Sequence, residues 1–274
     1  MTQSRTFARL LVVLGAAVAA MALLSPVASA AEPKPGYTQF KGCPSKAEVP
    51  IAAFCQRVNI KSGHFQMGSK TVPIEKPMNL IGGADEFGNF VGGVFPPVPQ
   101  KVPGGVVGLT GLTWLLELFG SEALTLYATT EIAGIPGNIF TEPKKLPIKV
   151  HLTNPSGLLG NNCYVGSVTN PIVLNLQFGT TSPPPPNKPI TGVNPEITFD
   201  GETNIIHFKG GQLVDNAFAA PGASGCVLTL FGFIPISING LVNSQSGLPS
   251  AAGKNETRQN VDVELTQTET VYGP

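Results

Sequence analysis

The stretch LPIKVHLT, residues 146–153, decides the fold class because its side chains alternate between apolar and polar. The apolar positions share one parity and are Leu146, Ile148, Val150 and Leu152. The polar positions between them are Lys149, His151 and Thr153. A period of two places one set on each face of a β-strand. We therefore predict a half-buried strand of an antiparallel sheet, because strands of a parallel sheet are buried on both faces and are apolar throughout.

Similar strand patterns recur along the chain. The segments are ALTLYATTEI (123–132), PIVLNLQFG (171–179), EITFD (196–200), NIIHFKG (204–210) and VDVELTQT (261–268). Glycine, proline and asparagine, which favour turns, separate them. Successive strands without helices between them predict an all-β fold, either an antiparallel β-sandwich or a barrel-like sheet.

One segment departs from this pattern and predicts a single short helix near residues 110–120. Its apolar residues recur at helical spacing and are Leu112, Leu115, Leu116 and Phe119. Gly120 stands where a helix C-cap is expected. Trp114 lies off the apolar stripe, and we expect it in the core or at an edge, with a partly exposed position as the alternative.

Residues 1–30 have the three parts of a secretory signal peptide. Arg5 and Arg9 form the positive start, Leu10 to Leu24 are apolar, and Ala28-Ser29-Ala30 is a small-residue cleavage site. The apolar run is short for a membrane span. We therefore expect cleavage, no membrane span afterwards, and a secreted β domain of residues 31–274 that is extracellular or associated with the cell wall.

The charge of the chain limits its partners. Lysine and arginine number 17, as do aspartate and glutamate, and only 12% of residues are charged. Without Arg5 and Arg9 the balance becomes slightly negative. Such a surface provides no positive field for a nucleic acid, so no nucleic-acid partner is predicted.

The four cysteines, Cys43, Cys55, Cys163 and Cys226, form an even set, which predicts two disulfides in an exported chain. Three pairings are possible. Pairing nearest neighbours is the simplest and ties an N-terminal segment within residues 31–60. The chain contains no C-x-x-C motif, which is the spacing that would indicate a zinc site.

The segment GTTSPPPPNKPITG, residues 179–192, contains four consecutive prolines between two predicted strands. A polyproline II run of this length advances about 12 Å. We interpret it as a stiff loop that crosses between two strands of one domain, which could belong to the same sheet or to two sheets. The alternative is a recognition peptide for a proline-binding partner.

Reactive side chains form no recognisable motif, so no metal, cofactor or catalytic residue is predicted. The histidines His64, His151 and His207 stand apart in strand-like runs and are interpreted as surface or partnered polar residues. The segment GASGC, residues 222–226, lacks the last glycine of a nucleophile elbow. The sequon NET at residues 255–257 is a weak signal for glycosylation.

Two acidic clusters are the remaining candidates for chemistry. Asp85 and Glu86 lie in GGADEFGN, and Asp200 and Glu202 lie in FDGETN. The neighbouring glycine and asparagine residues favour turns. The alternatives are a calcium site or a pair of carboxylates that hydrolyses a glycan.

Several segments resemble a group of exported actinobacterial proteins with no assigned function. They are FQMGSKTVPIEKP, LGNNCYVGSVTNPIVLNLQFGTTSPPPPNKPITG, LVDNAFAAPGASGC and GLPSAAGKNET. The resemblance extends from about Gln39 onward. It implies export from a Gram-positive-type cell and a structural role for Cys163 and Cys226, and it supplies no catalytic residues.

These observations favour a non-enzymatic exported β-protein of the cell envelope or extracellular space, which binds a partner or acts as a structural element. Cell-wall polysaccharide and another protein are the candidate partners. The alternatives are a secreted glycan hydrolase using Asp85, Glu86, Asp200 and Glu202, and a pore-forming barrel in the envelope.

Overall fold

Two antiparallel sheets account for most of the regular structure. The computed structural model describes residues 31–230 and 233–273, so the predicted signal peptide lies outside the described residues. The described residues from Glu32 onward belong to one compact unit. None of the described helices is long and apolar enough to cross a membrane.

The strands that the structure describes are, in chain order, β1 (Phe54–Met67), β2 (Lys70–Ile74), β3 (Met78–Ala84), β4 (Phe90–Val94), β5 (Gln100–Lys101), β6 (Tyr127–Ile132), β7 (Lys144–Thr153), β8 (Cys163–Val165), β9 (Ile172–Leu176), β10 (Glu196–Asp200), β11 (Ile205–Asp215), β12 (Ala223–Ser224), β13 (Val227–Leu230), β14 (Ile234–Ser237) and β15 (Glu256–Gln267).

The first sheet has the strand order β10-β11-β15-β1-β3-β4, with β2 paired to one end of β1. The second has the order β12-β8-β7-β6-β5, with β9 paired to β7, and β13 and β14 form a separate hairpin. Pairing in both sheets is antiparallel, and both sheets end in edge strands. The predicted all-β fold is therefore confirmed in its sandwich form.

The alternation in residues 146–153 has the predicted consequence. Ile148, Val150 and Leu152 on β7 are buried, and they share one core cluster with Ile60 and Val261 of the first sheet. That cluster contains apolar side chains from both sheets, so the core lies between them. A smaller cluster on the outer side of the first sheet contains Phe40, Cys43, Cys55, Ile205 and Val271.

The helical content differs from the single helix predicted. The described helices are α1 (Gly105–Thr110), α2 (Trp114–Ala123), α3 (Asn239–Ser246) and α4 (Thr268–Tyr272). Gly111 ends α1 with φ of 74°, and Gly120 interrupts α2 with φ of 75° instead of ending it. Leu115 is buried, but Trp114 is 45% exposed, so Trp114 does not lie in the core and takes the partly exposed position that was the alternative.

Both disulfides follow the nearest-neighbour pairing. Cys43 bonds to Cys55, and Cys163 bonds to Cys226. The first bond joins the N-terminal segment to β1, which begins at Phe54, so the predicted 31–60 segment includes the start of a central strand. The second bond joins β8 to the chain just before β13.

The proline-rich loop connects β9 of the second sheet to β10 of the first. It is not a straight rod, because it turns at Pro185 and Pro186, and Thr180 pairs with Thr191. The side-chain amide of Asn187 donates to the carbonyls of Asn216 and Asn255 at 2.9 and 2.8 Å. The loop is therefore fixed to its own domain.

Candidate functional site

An open groove lies where the β3–β4 hairpin of the first sheet approaches the end of β6 in the second. Its volume is about 570 Å³, within the range of small-molecule sites. The residues of the hairpin and its continuation that line it include Leu80, Phe90, Gly93 and Phe95. The facing wall includes Glu131, Ile132, Ile135 and Pro136.

Paired glycines on β3 and β4 shape the floor of this groove. Gly82 lies opposite Gly93 in the ladder, and a Cβ atom on Gly82 would overlap the ring of Phe90. A Cβ atom on Gly93 would lie 3.0 Å from Cζ of the same ring. The Phe90 ring therefore occupies the space that side chains would fill on an ordinary hairpin. The sequence IGGADEFGNFVGG thus exposes an aromatic floor.

A small cavity of about 70 Å³ continues from the groove into the space between the sheets. Leu80, Phe90, Phe95 and Pro136 line both spaces. The loop of residues 134–143, between β6 and β7, covers the cavity.

Hydrogen bonds attach this covering loop to the β3–β4 hairpin. The Ile139 N–H donates to the Gly88 carbonyl at 2.8 Å, and the Asn138 amide donates to the Phe87 carbonyl at 2.7 Å. The ring of Phe140 packs edge-on against Phe54, with 5.5 Å between centroids. The second sheet thus supplies a cover that is fixed to the first sheet.

Gln259 on β15 lines the cavity and is 1% exposed. Its Nε2 donates to Oγ1 of Thr257 at 3.3 Å, while the Thr257 hydroxyl donates to the His64 carbonyl at 2.9 Å. Because the hydroxyl proton is already used, Thr257 can only accept from Gln259, which fixes the orientation of the amide. Oε1 of Gln259 has no hydrogen-bond partner among the described residues.

The carboxylate at the groove is already paired with a cation. Glu131, the charged residue among those lining the groove, lies 2.9 Å from Nζ of Lys149 and 3.4 Å from Nδ1 of His151. At the cavity, Lys144 Nζ donates to the Ile139 carbonyl at 2.8 Å, and burial lowers the pKa of Lys144. The carboxylate of the groove is therefore paired, while Lys144 and Lys145, which both line the cavity, place positive charge there.

A second groove of about 470 Å³ lies on the other side of the covering loop. It shares Gln56, Ile139 and Lys144 with the cavity. Ile197 and Phe208 also line it, and Ile197 on edge strand β10 is 64% exposed. Apolar surface thus continues on both sides of the cavity.

The structure places the three histidines apart, each beside one glutamate. His64 lies 3.6 Å from Glu256, and His207 lies 3.7 Å from Glu264. His151, already described at Glu131, also stacks on Tyr164 with 4.2 Å between ring centroids. No cluster of three or more histidine, cysteine or acidic side chains suitable for a metal ion occurs within residues 31–230 and 233–273.

The four acidic candidates lie in turns or directly beside them. Oδ1 of Asp85 accepts from the Phe87 and Asn89 N–H groups at 2.9 and 2.8 Å. Oδ1 of Asp200 accepts from the Glu202 N–H at 2.9 Å, and Oδ2 accepts from the Thr203 hydroxyl at 2.6 Å. Hydrogen bonds from Asn89 and Thr203, respectively, lower the pKa of Asp85 and of Asp200.

The side chains of Glu86 and Glu202 are exposed. The two aspartates therefore stabilise their own turns, and none of the four acidic candidates lines the groove or cavity.

The sequon asparagine, Asn255, is a structural residue. Its side chain is completely buried, where Oδ1 accepts from the Gly68 N–H and Nδ2 donates to the Phe218 and Ala251 carbonyls. The folded protein gives a glycosylating enzyme no access to this amide.

Comparison of the chain with protein-family models, with curated proteins and with solved structures gives no match. The resemblance to exported actinobacterial proteins therefore stays a prediction. The fold and the groove define the molecule as a disulfide-bonded β-sandwich with an apolar groove between its sheets.

Proposed function

We propose that the protein is an exported, non-enzymatic binding protein of the cell envelope or extracellular space, and that it binds apolar molecules in the groove between its sheets. The observation that carries this proposal is the open apolar groove, which has an aromatic floor and continues into a cavity. Apolar surface left open to water is costly, and sites for small molecules are concave and predominantly apolar. The two disulfides support an oxidising compartment.

The lining of the groove favours an apolar ligand over the polysaccharide expected from the sequence. Sugar hydroxyls need polar partners when they leave water. The groove offers mainly valine, isoleucine, leucine, phenylalanine, proline and glycine, and its carboxylate, Glu131, is paired with Lys149. No observation favours the glycan hydrolase, because Asp85 and Asp200 accept hydrogen bonds within their own turns.

Titration of the mature protein with N-phenyl-1-naphthylamine, an uncharged apolar dye, tests this function. We expect saturable fluorescence enhancement that is weakened about tenfold by Ile135→Asp, because burying an isoleucine side chain contributes about 1.5–3 kcal/mol. Ile135 is 79% exposed at the rim, so the substitution should not unfold the protein.

Val168→Asp is the matched control, because Val168 is 68% exposed and does not line the groove. Absence of saturable binding, or equal loss in both variants, contradicts the proposed site. Fractionation of producing cells tests the location separately, and recovery of the protein in the cytosol contradicts export.

A further inference from the structure

We infer that the ligand carries a hydrogen-bond donor on an otherwise apolar skeleton, as a long-chain alcohol or hydroxylated acyl chain does, and that Oε1 of Gln259 accepts this hydrogen bond. The inference rests on the proposed function and specifies the ligand class of the same site. It begins from Oε1 of Gln259, which has no hydrogen-bond partner among the described residues although the residue is only 1% exposed to water.

A glutamine at this position is unusual for the face on which it lies. Gln259 pairs with Gly63 and with Leu213 in the first sheet, and Val261 two residues later belongs to the core. Side chains two residues apart on a strand share a face, so Gln259 occupies an inward position where the pattern calls for an apolar residue. A buried oxygen without a partner destabilises the fold.

A water molecule is a poor partner for this oxygen. Buried waters make two to four hydrogen bonds, whereas the cavity wall includes the apolar residues Ile60, Leu176 and Leu213. Of the polar side chains that also line the cavity, Gln56 lies opposite Leu265, six residues along β15 from Gln259, and Asn138 and Lys144 already bond to backbone carbonyls. A ligand hydroxyl needs fewer protein partners, because the rest of the ligand is satisfied by apolar contact. Gln259 lies six residues along β15 from Leu265, which is opposite Gln56, and Gln56 is opposite Gly82 beneath the Phe90 ring. The hydroxyl end of the ligand therefore extends along the cavity to Gln259, while the rest of the hydrocarbon lies in the larger groove over Phe90.

The charge of the site favours an uncharged donor. Glu131 at the groove is paired with Lys149, and Lys144 at the cavity is held by the carbonyl oxygens of Ile139 and Thr141. The groove wall therefore has no unpaired carboxylate to bind a cationic ligand, and such a ligand would lose its hydration without gaining an ion pair there. An alcohol gives up much less hydration and can still donate to Oε1.

Competition between two isomers tests the inference on the mature protein. 1-Decanol and 1-methoxynonane have the same atoms, but only the alcohol can donate a hydrogen bond. Each is used to displace N-phenyl-1-naphthylamine from the wild type, from Gln259→Leu and from Gln212→Leu. Gln212 is the matched control because its amide bonds to Asn260 on the opposite face of the sheet.

We expect the wild type and Gln212→Leu to prefer the alcohol about fivefold more than Gln259→Leu does, as one net hydrogen bond allows. The urea midpoint of unliganded Gln259→Leu should rise, because the substitution removes the unpartnered oxygen. Gln259→Met provides a second variant of similar length if Gln259→Leu does not fold.

An unchanged preference in the Gln259 variants, or an equal response of the wild type to both isomers, overturns the inference while dye binding still supports the proposed function. Absence of dye binding by the wild type overturns both.

Discussion

Removing the two disulfides separately should destabilise the protein by different amounts. The perturbations are the double variants Cys163→Ala/Cys226→Ala and Cys43→Ala/Cys55→Ala, which leave no unpaired thiol. The bonds close segments of very different length, with sequence separations of 63 and 12 residues. Because a longer closed loop restricts the unfolded chain more, the first variant should lose more stability.

The loop lengths give the magnitude. Chain entropy predicts losses of about 4.3 kcal/mol for Cys163–Cys226 and about 2.9 kcal/mol for Cys43–Cys55. Their difference, about 1.4 kcal/mol, is more reliable than either value because all four cysteines are buried. Truncation to alanine therefore leaves a similar small cavity at each bond, and the free-energy cost of the two cavities largely cancels in the difference between the variants.

Equilibrium urea unfolding of the mature protein, followed by fluorescence and by far-ultraviolet circular dichroism, measures both losses. Coincident transitions are required, since only two-state unfolding gives a defined free energy. An equal or larger loss for the Cys43–Cys55 variant would refute the reasoning. It would show that native contacts of the N-terminal segment outweigh the entropy of the unfolded chain.

Asp215 and Asp200 should contribute to the stability of the fold with opposite dependence on pH. The carboxyl group of Asp215 accepts hydrogen bonds from the Asn175 and Ala217 N–H groups, and burial raises its pKa. The contribution of Asp215 to the stability of the fold is therefore greatest in acid and declines as pH rises through the raised pKa. Asp215→Ala should lower the free energy of unfolding by about 2–4 kcal/mol, because it leaves two N–H groups unpaired. Urea midpoints should show a larger loss near pH 4 than near pH 7. A larger loss near pH 7 contradicts the raised pKa of Asp215. The hydrogen bond from Thr203 lowers the pKa of Asp200, so the stability that this carboxylate contributes at neutral pH is lost as pH falls through the lowered pKa. The difference in midpoint between wild type and Asp200→Ala should therefore narrow in acid, and a widening difference contradicts the turn role.

The strands were predictable because their pattern is local. Residues 146–153 and 261–268 alternate strictly, and the structure places both segments largely in strands, β7 and β15. The short helices α3 and α4 were not predicted, since neither carries a helical apolar stripe long enough to recognise. Tertiary packing determines these elements: Val242 of α3 and Val271 of α4 are each completely buried.

The groove could not be predicted, because it depends on how distant segments meet. The two Gly-Gly pairs, Gly82-Gly83 and Gly92-Gly93, could have indicated close backbone approach, but only the pairing of β3 with β4 places the Phe90 ring above them. Gln259 could have been found by extending the inward parity of Val261 and Val263 two residues backward. That extension predicts a buried glutamine, but the missing hydrogen-bond partner is visible only in three dimensions.

The unpartnered oxygen of Gln259 and the exposed apolar walls above Phe90 both destabilise the unliganded protein. A sequence with leucine at position 259 and with side chains at positions 82 and 93 would avoid both costs. One ligand that fills the groove and donates to Gln259 offsets both costs. Since such a ligand binds only the folded chain, it should raise the free energy of unfolding by about 2.7 kcal/mol at a hundredfold excess over its Kd. A ligand that binds without stabilising the fold would therefore lie outside this groove or would also bind the unfolded chain.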